Sequence, residues 1–186
     1  MKTMRKLVIG MLLLVSVSAS AKIKLCQLFT DNMVLQQQTE APIWGEAAPR
    51  KNVTIVTSRN GMRYQIKTDT QGKWSAKIST PQAGSPYDIS ISDGKQIVLH
   101  DVLIGEVWLC SGQSNMEFPV EGWSVKINKD EIARVEENTN IRLLQVEKHT
   151  SFSPQQTFTT AQGGWAKCTP AGLHNSQELP SSLVAI

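Results

Sequence analysis

The sequence predicts a β-sandwich over residues 22–103 followed by the beginning of an α/β domain over residues 104–186. Two observations predict the first part: apolar and polar residues alternate in short runs, and turn signals recur about every ten residues. A third predicts the second part. From Val102 to Cys110 the alternation gives way to a nearly continuous apolar run, as a strand covered on both faces requires.

The first segment is expected to lie outside the fold. Met1–Ala21 carries Lys2, Arg5 and Lys6, then the apolar run Leu7–Val15, then small residues ending in Ala19-Ser20-Ala21. A basic start, an apolar stretch too short to span a bilayer and an A-x-A site make a secretory signal peptide, so an exported protein, periplasmic or secreted, is expected. Those 21 residues hold three of the 19 basic side chains and none of the 16 acidic ones, so the mature chain carries sixteen of each sign. A neutral chain lacks the electrostatic support that a nucleic-acid or anionic-membrane partner needs, and no second apolar run approaches membrane length.

The strands follow in order. Val53-Thr54-Ile55-Val56 leads to Asn60-Gly61, after which Met62, Tyr64 and Ile66 alternate with Arg63, Gln65 and Lys67, which predicts a hairpin on a type I′ turn. Trp74, Ala76 and Ile78 alternate after Gln71-Gly72. Tyr87, Ile89 and Ile91 do so before Asp93-Gly94, and a further strand runs from Gln96 towards Leu103. Past the buried run at 102–110, Asn128 with Glu131 at N3 resembles a capping box. Ile132 and Val135 share the buried side of that helix, and Asn138-Thr139-Asn140 ends it. Ile141–Val146 reads as another buried strand, whereas residues 171–186 show neither helical nor strand periodicity. Strand, turn, helix and strand open an α/β domain. Cys26, Cys110 and Cys168 are odd in number and widely spaced, which fits small buried residues with at most one bridge, neither a disulfide framework nor a zinc site.

The chemistry centres on Gly112-Gln113-Ser114-Asn115, directly after the buried strand. A serine at the carboxyl end of a central strand presents Oγ to the crevice outside the sheet. The turn that follows aims backbone N–H groups at the same place, where they can hold the oxyanion of a tetrahedral acyl intermediate. Position 116 is Met, so this is not a Gly-x-Ser-x-Gly elbow. The bare pattern also fits a polar turn in which Ser114 caps a helix.

The longer string Ile104-Gly105-Glu106-Val107-Trp108-Leu109-Cys110-Ser111-Gly112-Gln113-Ser114-Asn115-Met116-Glu117 resembles the nucleophile block of sialate O-acetylesterases, in the SGNH (GDSL-like) hydrolase superfamily. The likeness extends to Leu28–Gln36, Pro42-Ile43-Trp44-Gly45, Asn140-Ile141-Arg142-Leu143 and Gly164-Trp165, about residues 25–170 in all. It implies that the second domain is an incomplete SGNH-type, flavodoxin-like hydrolase domain. It further implies that Ser114 is the nucleophile and a backbone oxyanion donor, with Gly112, Gln113 and Asn115 as substrate-binding positions. The implied reaction is removal of acetyl groups from sialic acids or related glycans through an acetyl-serine, with no metal or organic cofactor.

The resemblance also implies a catalytic histidine in an Asp-x-x-His block far towards the carboxyl end of a longer chain. None of His100, His149 and His174 has Asp three residues before it, and each is expected to be structural or solvated. A serine without its base is a weak nucleophile, so this chain alone is expected to be inactive. A shifted frame through Asn175–Ile186 can encode Phe-Ser-Gly-Ala and then Phe-Gly-Arg, as the family continues. Residues 171–186 are therefore expected to be an out-of-frame tail of a truncated enzyme. Glu117 and Glu121 are expected at the surface, and Trp44, Trp74, Trp108, Trp123 and Trp165 mainly in the core. Asp101 or Glu106 could orient a base only if folding brought one to it. The alternative function is a non-catalytic carbohydrate-binding or interaction β-sandwich, for which a Gly-Gln-Ser-Asn turn has no evident use.

Overall fold

A computed structural model describes residues 22–112, 140–169 and 182–185, the last four as backbone. The signal-like segment, the expected helix from Asn128, and Glu117, Glu121, Trp123 and His174 lie outside the described residues. Twelve strands are described: β1 (Lys24–Leu25), β2 (Val34–Gln36), β3 (Glu40–Glu46), β4 (Asn52–Thr57), β5 (Arg63–Lys67), β6 (Lys73–Ser79), β7 (Gly84–Ser92), β8 (Gln96–Gly105), β9 (Val107–Cys110), β10 (Arg142–Gln145), β11 (Ala166–Lys167) and β12 (Ser182–Ala185). Among the described residues no helix is long and apolar enough to cross a membrane.

The alternation read from the sequence is expressed as burial. Along β6, Trp74, Ala76 and Ile78 are buried while Lys73, Ser75, Lys77 and Ser79 are exposed. β6 pairs with β3, and β3 with β1, in a three-stranded antiparallel sheet. A second sheet has the order β2-β8-β7-β4-β5. Buried residues of both, including Ile43, Ile78, Val53, Ile55, Ile91 and Val102, form one apolar core. Each such aliphatic side chain contributes about 1.5–3 kcal/mol on transfer from water.

Two details differ from expectation. β4 and β5 pair as predicted around Asn60-Gly61, but Thr57 N–H donates to Met62 O (3.1 Å) and Gly61 N–H to Thr57 O (3.0 Å), so the loop is wider than a two-residue turn. Gly61 takes φ +65°. Asn60 instead uses Oδ1 to accept from Thr57 Oγ1 (2.9 Å) and Met62 N–H (3.0 Å), an alternative to the left-handed backbone of a type I′ turn. The five-stranded sheet is also not wholly antiparallel. β2 joins its edge parallel to β8, held by Leu103 N–H to Met33 O (2.9 Å) and Gln37 N–H to Gly105 O (2.8 Å).

A third sheet has the order β11-β10-β12-β9 with every neighbouring pair antiparallel, so β9 and β10 run in the same direction on either side of β12. The strand at Ser182–Ala185 corrects the reading of 171–186 as without strand character. Four residues are too few to show a period, and the backbone groups of two neighbouring strands supply the ladder that local sequence does not announce. The run Val102–Cys110 is likewise not one doubly covered strand. It breaks at exposed Glu106, and in β9 Trp108 and Leu109 are 57% and 74% exposed.

Segment 140–169 is fastened to the core of the first two sheets and to the loop after β1. Leu144 and Trp165 enter the shared core, and Trp165 donates from Nε1 to Leu28 O (2.9 Å) and from its backbone N–H to Thr30 Oγ1 (3.1 Å). Thr160 donates to Gln27 Oε1 from both its backbone N–H (2.7 Å) and its Oγ1 (2.9 Å).

Candidate functional site

The described chain reaches the candidate turn at Gly112, exposed just past the end of β9, while Gln113, Ser114 and Asn115 lie outside the described residues. What can be built is the approach to that turn. β8 ends at Gly105, Glu106 bends the chain, and β9 carries it through Trp108 and Leu109 to Cys110.

A polar clamp fixes the bend. The Glu106 carboxylate accepts from Gln36 Nε2 (2.9 Å) and Gln37 Nε2 (2.7 Å). Gln36 then returns through Oε1 to accept the backbone N–H of Val107 (2.9 Å), the first residue of β9, and Gln37 Oε1 accepts the N–H of Ala83 (2.8 Å). Each amide thus uses its acceptor and donor ends at once, which fixes its orientation and that of the carboxylate. The hydrogen bonds from Gln36, and secondarily Gln37, hold the Glu106 carboxyl below its ordinary range. Sequence reading weighed Glu106 as an orienting carboxylate for a base. The structure instead gives it to the entry of β9, and no histidine contacts it among the described residues. Gln37 escaped notice because a glutamine at a strand end carries no motif.

Asp101 also meets cations and not a base. Its Oδ2 lies 2.6 Å from Lys167 Nζ and 3.3 Å from Arg142 Nη2, with Oδ1 3.4 Å from the same nitrogen. The hydrogen bond from Lys167, with the charge of Arg142 behind it, lowers the Asp101 carboxyl against the opposing effect of burial. The Arg142 side chain is only 3% exposed, and it stands at the start of β10, paired to β11 through Lys167. A charge inside the apolar stretch Ile141–Val146 was the visible signal for a buried ion pair.

Two of the three histidines are described, and neither belongs to β9 or the bend before it. His100 lies inside β8, exposed, with Nδ1 3.2 Å from Asp88 Oδ1 and its backbone N–H donating to Asp31 Oδ1 (2.8 Å), and His149 is exposed after β10. Trp74 and Trp165 are buried as expected, Trp44 is half-buried with Phe29 edge-on against it, and Trp108 is a surface residue. Cys26 and Cys168 are buried free thiols and Cys110 is half-buried and free. Burial pushes the Cys168 thiol up from its ordinary value. Among the described residues no three His, Cys, Asp or Glu side chains gather as a metal would require.

Comparison with known proteins agrees with the sequence resemblance. No family model matches the chain. A sialate O-acetylesterase from Homo sapiens is 28% identical over 178 residues, which are 90% of this chain and 34% of that protein. A sialate O-acetylesterase from Mus musculus is 29% identical over 89% of this chain and 32% of its own length. Among solved structures, a carbohydrate acetylesterase from Xanthomonas citri superposes with a TM-score of 0.70 at 31% identity, covering 82% of this chain and 34% of that one. The chain is a relative of the sialate O-acetylesterases and spans about a third of the length of those it matches.

Proposed function

We propose that this relative of the sialate O-acetylesterases represents a serine esterase for acetyl esters on sialic acids or related glycans, with Ser114 as nucleophile. One observation carries the proposal: Gly112-Gln113-Ser114-Asn115 follows β9 after the single residue Ser111, and the entry to β9 is clamped by Gln36 and Glu106. In this reading Ser114 Oγ adds to the acetyl carbonyl, and backbone N–H groups of the turn, its own included, receive the oxyanion. The sugar oxygen leaves with a proton and an acetyl-serine remains. Water then attacks the ester, acetate departs and the serine hydroxyl is restored. Gly112 leaves the backbone open to the substrate, and Gln113 and Asn115 contact it. Residues 22–103 form the β-sandwich, residues 104–186 the start of the SGNH-type hydrolase domain, and Met1–Ala21 directs export.

Both halves of the reaction need a general base, and His100, His149 and His174 all lack the Asp-x-x-His pattern. The chain by itself therefore turns over acetyl esters negligibly. Two assays separate competence from lineage. The purified chain and its Ser114→Ala variant are compared on an aryl acetate and on an acetylated sialoside; robust Ser114-dependent turnover would refute the proposed inactivity. Residues 22–170 are then substituted for the matching third of the Xanthomonas citri acetylesterase, with circular dichroism verifying the fold. Hydrolysis by the chimera that Ser114→Ala abolishes is the expected result. A folded chimera that is inactive, or equally active without the hydroxyl, removes Ser114 from the mechanism.

A further inference from the structure

A cleft of about 440 Å³ opens beside the three-stranded sheet, between β1, β3, β6 and the segment at Gln156–Thr157, and none of Val107–Gly112 lines it. Its volume lies within the range of small-molecule sites. The half-buried Trp44 forms its aromatic wall, on the face of the sheet that also carries Lys24, Glu46, Lys73 and Ser75, whereas the buried Trp74 pairs with Gly45 on the opposite, core-facing side. The rim is polar and carries Lys24 and Lys73 against Glu46 and Asp69, two charges of each sign.

We propose that this cleft, which no residue of β9 lines, binds a neutral pyranose ring of a glycan. A pyranose has an apolar face of C–H groups that packs on an indole, whose π-face is electronegative, and a girdle of hydroxyls that suits a mixed-charge rim. A rim without net charge gives an anionic or cationic ligand no advantage. The Trp44 indole N–H borders the site: Nε1 donates to Gln156 O at the long distance of 3.3 Å, and a ring hydroxyl in the cleft can take over that proton. Asp69 is held by its own turn, since its Oδ1 accepts from Gln71 and Lys73 N–H, so recognition falls to Lys24, Glu46, Lys73 and Gln156.

The test is an NMR titration of the ¹⁵N-labelled full chain. Methyl glycosides of glucose, galactose, mannose and N-acetylglucosamine serve as neutral probes, and free N-acetylneuraminic acid as the anionic one. The expected result is movement of the Trp44 indole N–H signal with at least one neutral glycoside, at a Kd on the order of 1–10 mM, a weak single-ring affinity. Thr157→Trp, an exposed change at the cleft mouth, should weaken that binding at least tenfold without altering the rest of the spectrum. Ser114→Ala should bind as the parent does, which keeps this result independent of the esterase reading. No movement with any neutral glycoside, binding indifferent to Thr157→Trp, or preference for the anionic sugar would each overturn the proposal.

Discussion

Asp101→Asn isolates the polar contact that ties the third sheet to the end of β8. Asp101 has φ +55°, a left-handed conformation that asparagine tolerates nearly as well as aspartate, so the change removes charge without adding backbone strain. The Lys167 side chain is half exposed, and its share is about 0–1 kcal/mol. Arg142 is nearly sealed, and breaking a buried pair costs about 3–5 kcal/mol. The 3.3 Å separation, the partial exposure of Asp101 and the further interactions of Arg142 reduce that figure. The expected loss is about 2–3 kcal/mol at pH 7, at or just below the low end of the buried-pair range. Urea unfolding of parent and variant, followed by tryptophan fluorescence, measures it. The pH dependence fixes the sign. The folded-state carboxyl lies below its ordinary value of 3.8, so its contribution is complete above that value and disappears as pH falls through the lower folded one. The gap between parent and variant should thus be constant from pH 7 to about 5 and close only below the ordinary carboxylate range. A loss under about 0.5 kcal/mol at pH 7, or a gap that persists into strong acid, would refute the assignment of Asp101 as the counter-charge of Arg142.

Two other predictions concern packing. Gly164 has φ +151°, and a Cβ there would lie 2.3 Å from Thr30 Oγ1 and 2.8 Å from Thr30 Cβ, so Gly164→Ala should cost about 2–4 kcal/mol from overpacking and backbone strain together. An unchanged urea midpoint would show that Thr30 yields freely. Native-state titration with an aromatic disulfide should modify Cys110 rapidly, and Cys26 and Cys168 only after denaturant is added, since the last two are buried. Three fast thiols, or a fast thiol surviving Cys110→Ser, would contradict that burial.

Period and turn residues made most strands of the three- and five-stranded sheets legible, because most of them place one face in the core and the other towards water. β6 needs nothing beyond Trp74, Ala76 and Ile78 to be recognised. Asn60-Gly61 marked the place of a turn but not its type, because the type depends on whether Asn60 spends its amide oxygen on Thr57 and Met62. Hydropathy ran Val102–Cys110 together because a single carboxylate barely changes an average, whereas in three dimensions Glu106 is where Gln36 and Gln37 meet the chain. The Asp101–Arg142 pair and the lodging of β12 between β9 and β10 are long-range events, set by partners 41 residues away in the first case and by two strand edges in the second. No local window holds such information. The candidate nucleophile turn was the reverse case, conspicuous as a string, with Ser114 itself outside the described residues.

The clamp at Glu106 explains why two stretches of the resemblance, far apart in sequence, fall at one place in the fold. Leu28–Gln36 contributes β2 and the Gln36 amide; Ile104–Glu117 contributes the end of β8, the bend and β9. They meet through the parallel pairing of Gln36 with Gly105 and through the hydrogen bond from Val107 N–H to Gln36 Oε1. A strand four residues long with two exposed apolar side chains has little packing of its own to set its direction. What aims β9 from the body of the protein is therefore polar and directional, two amides and one carboxylate, each committed at both ends. Positioning of this kind suits a strand proposed to deliver a reactive turn, because hydrogen bonds constrain angle as well as distance whereas apolar attraction is non-directional. The same logic separates the two proposed sites. The proposed Ser114 turn depends on how accurately β9 is launched, whereas the Trp44 cleft depends on the three-stranded sheet and the segment at Gln156–Thr157.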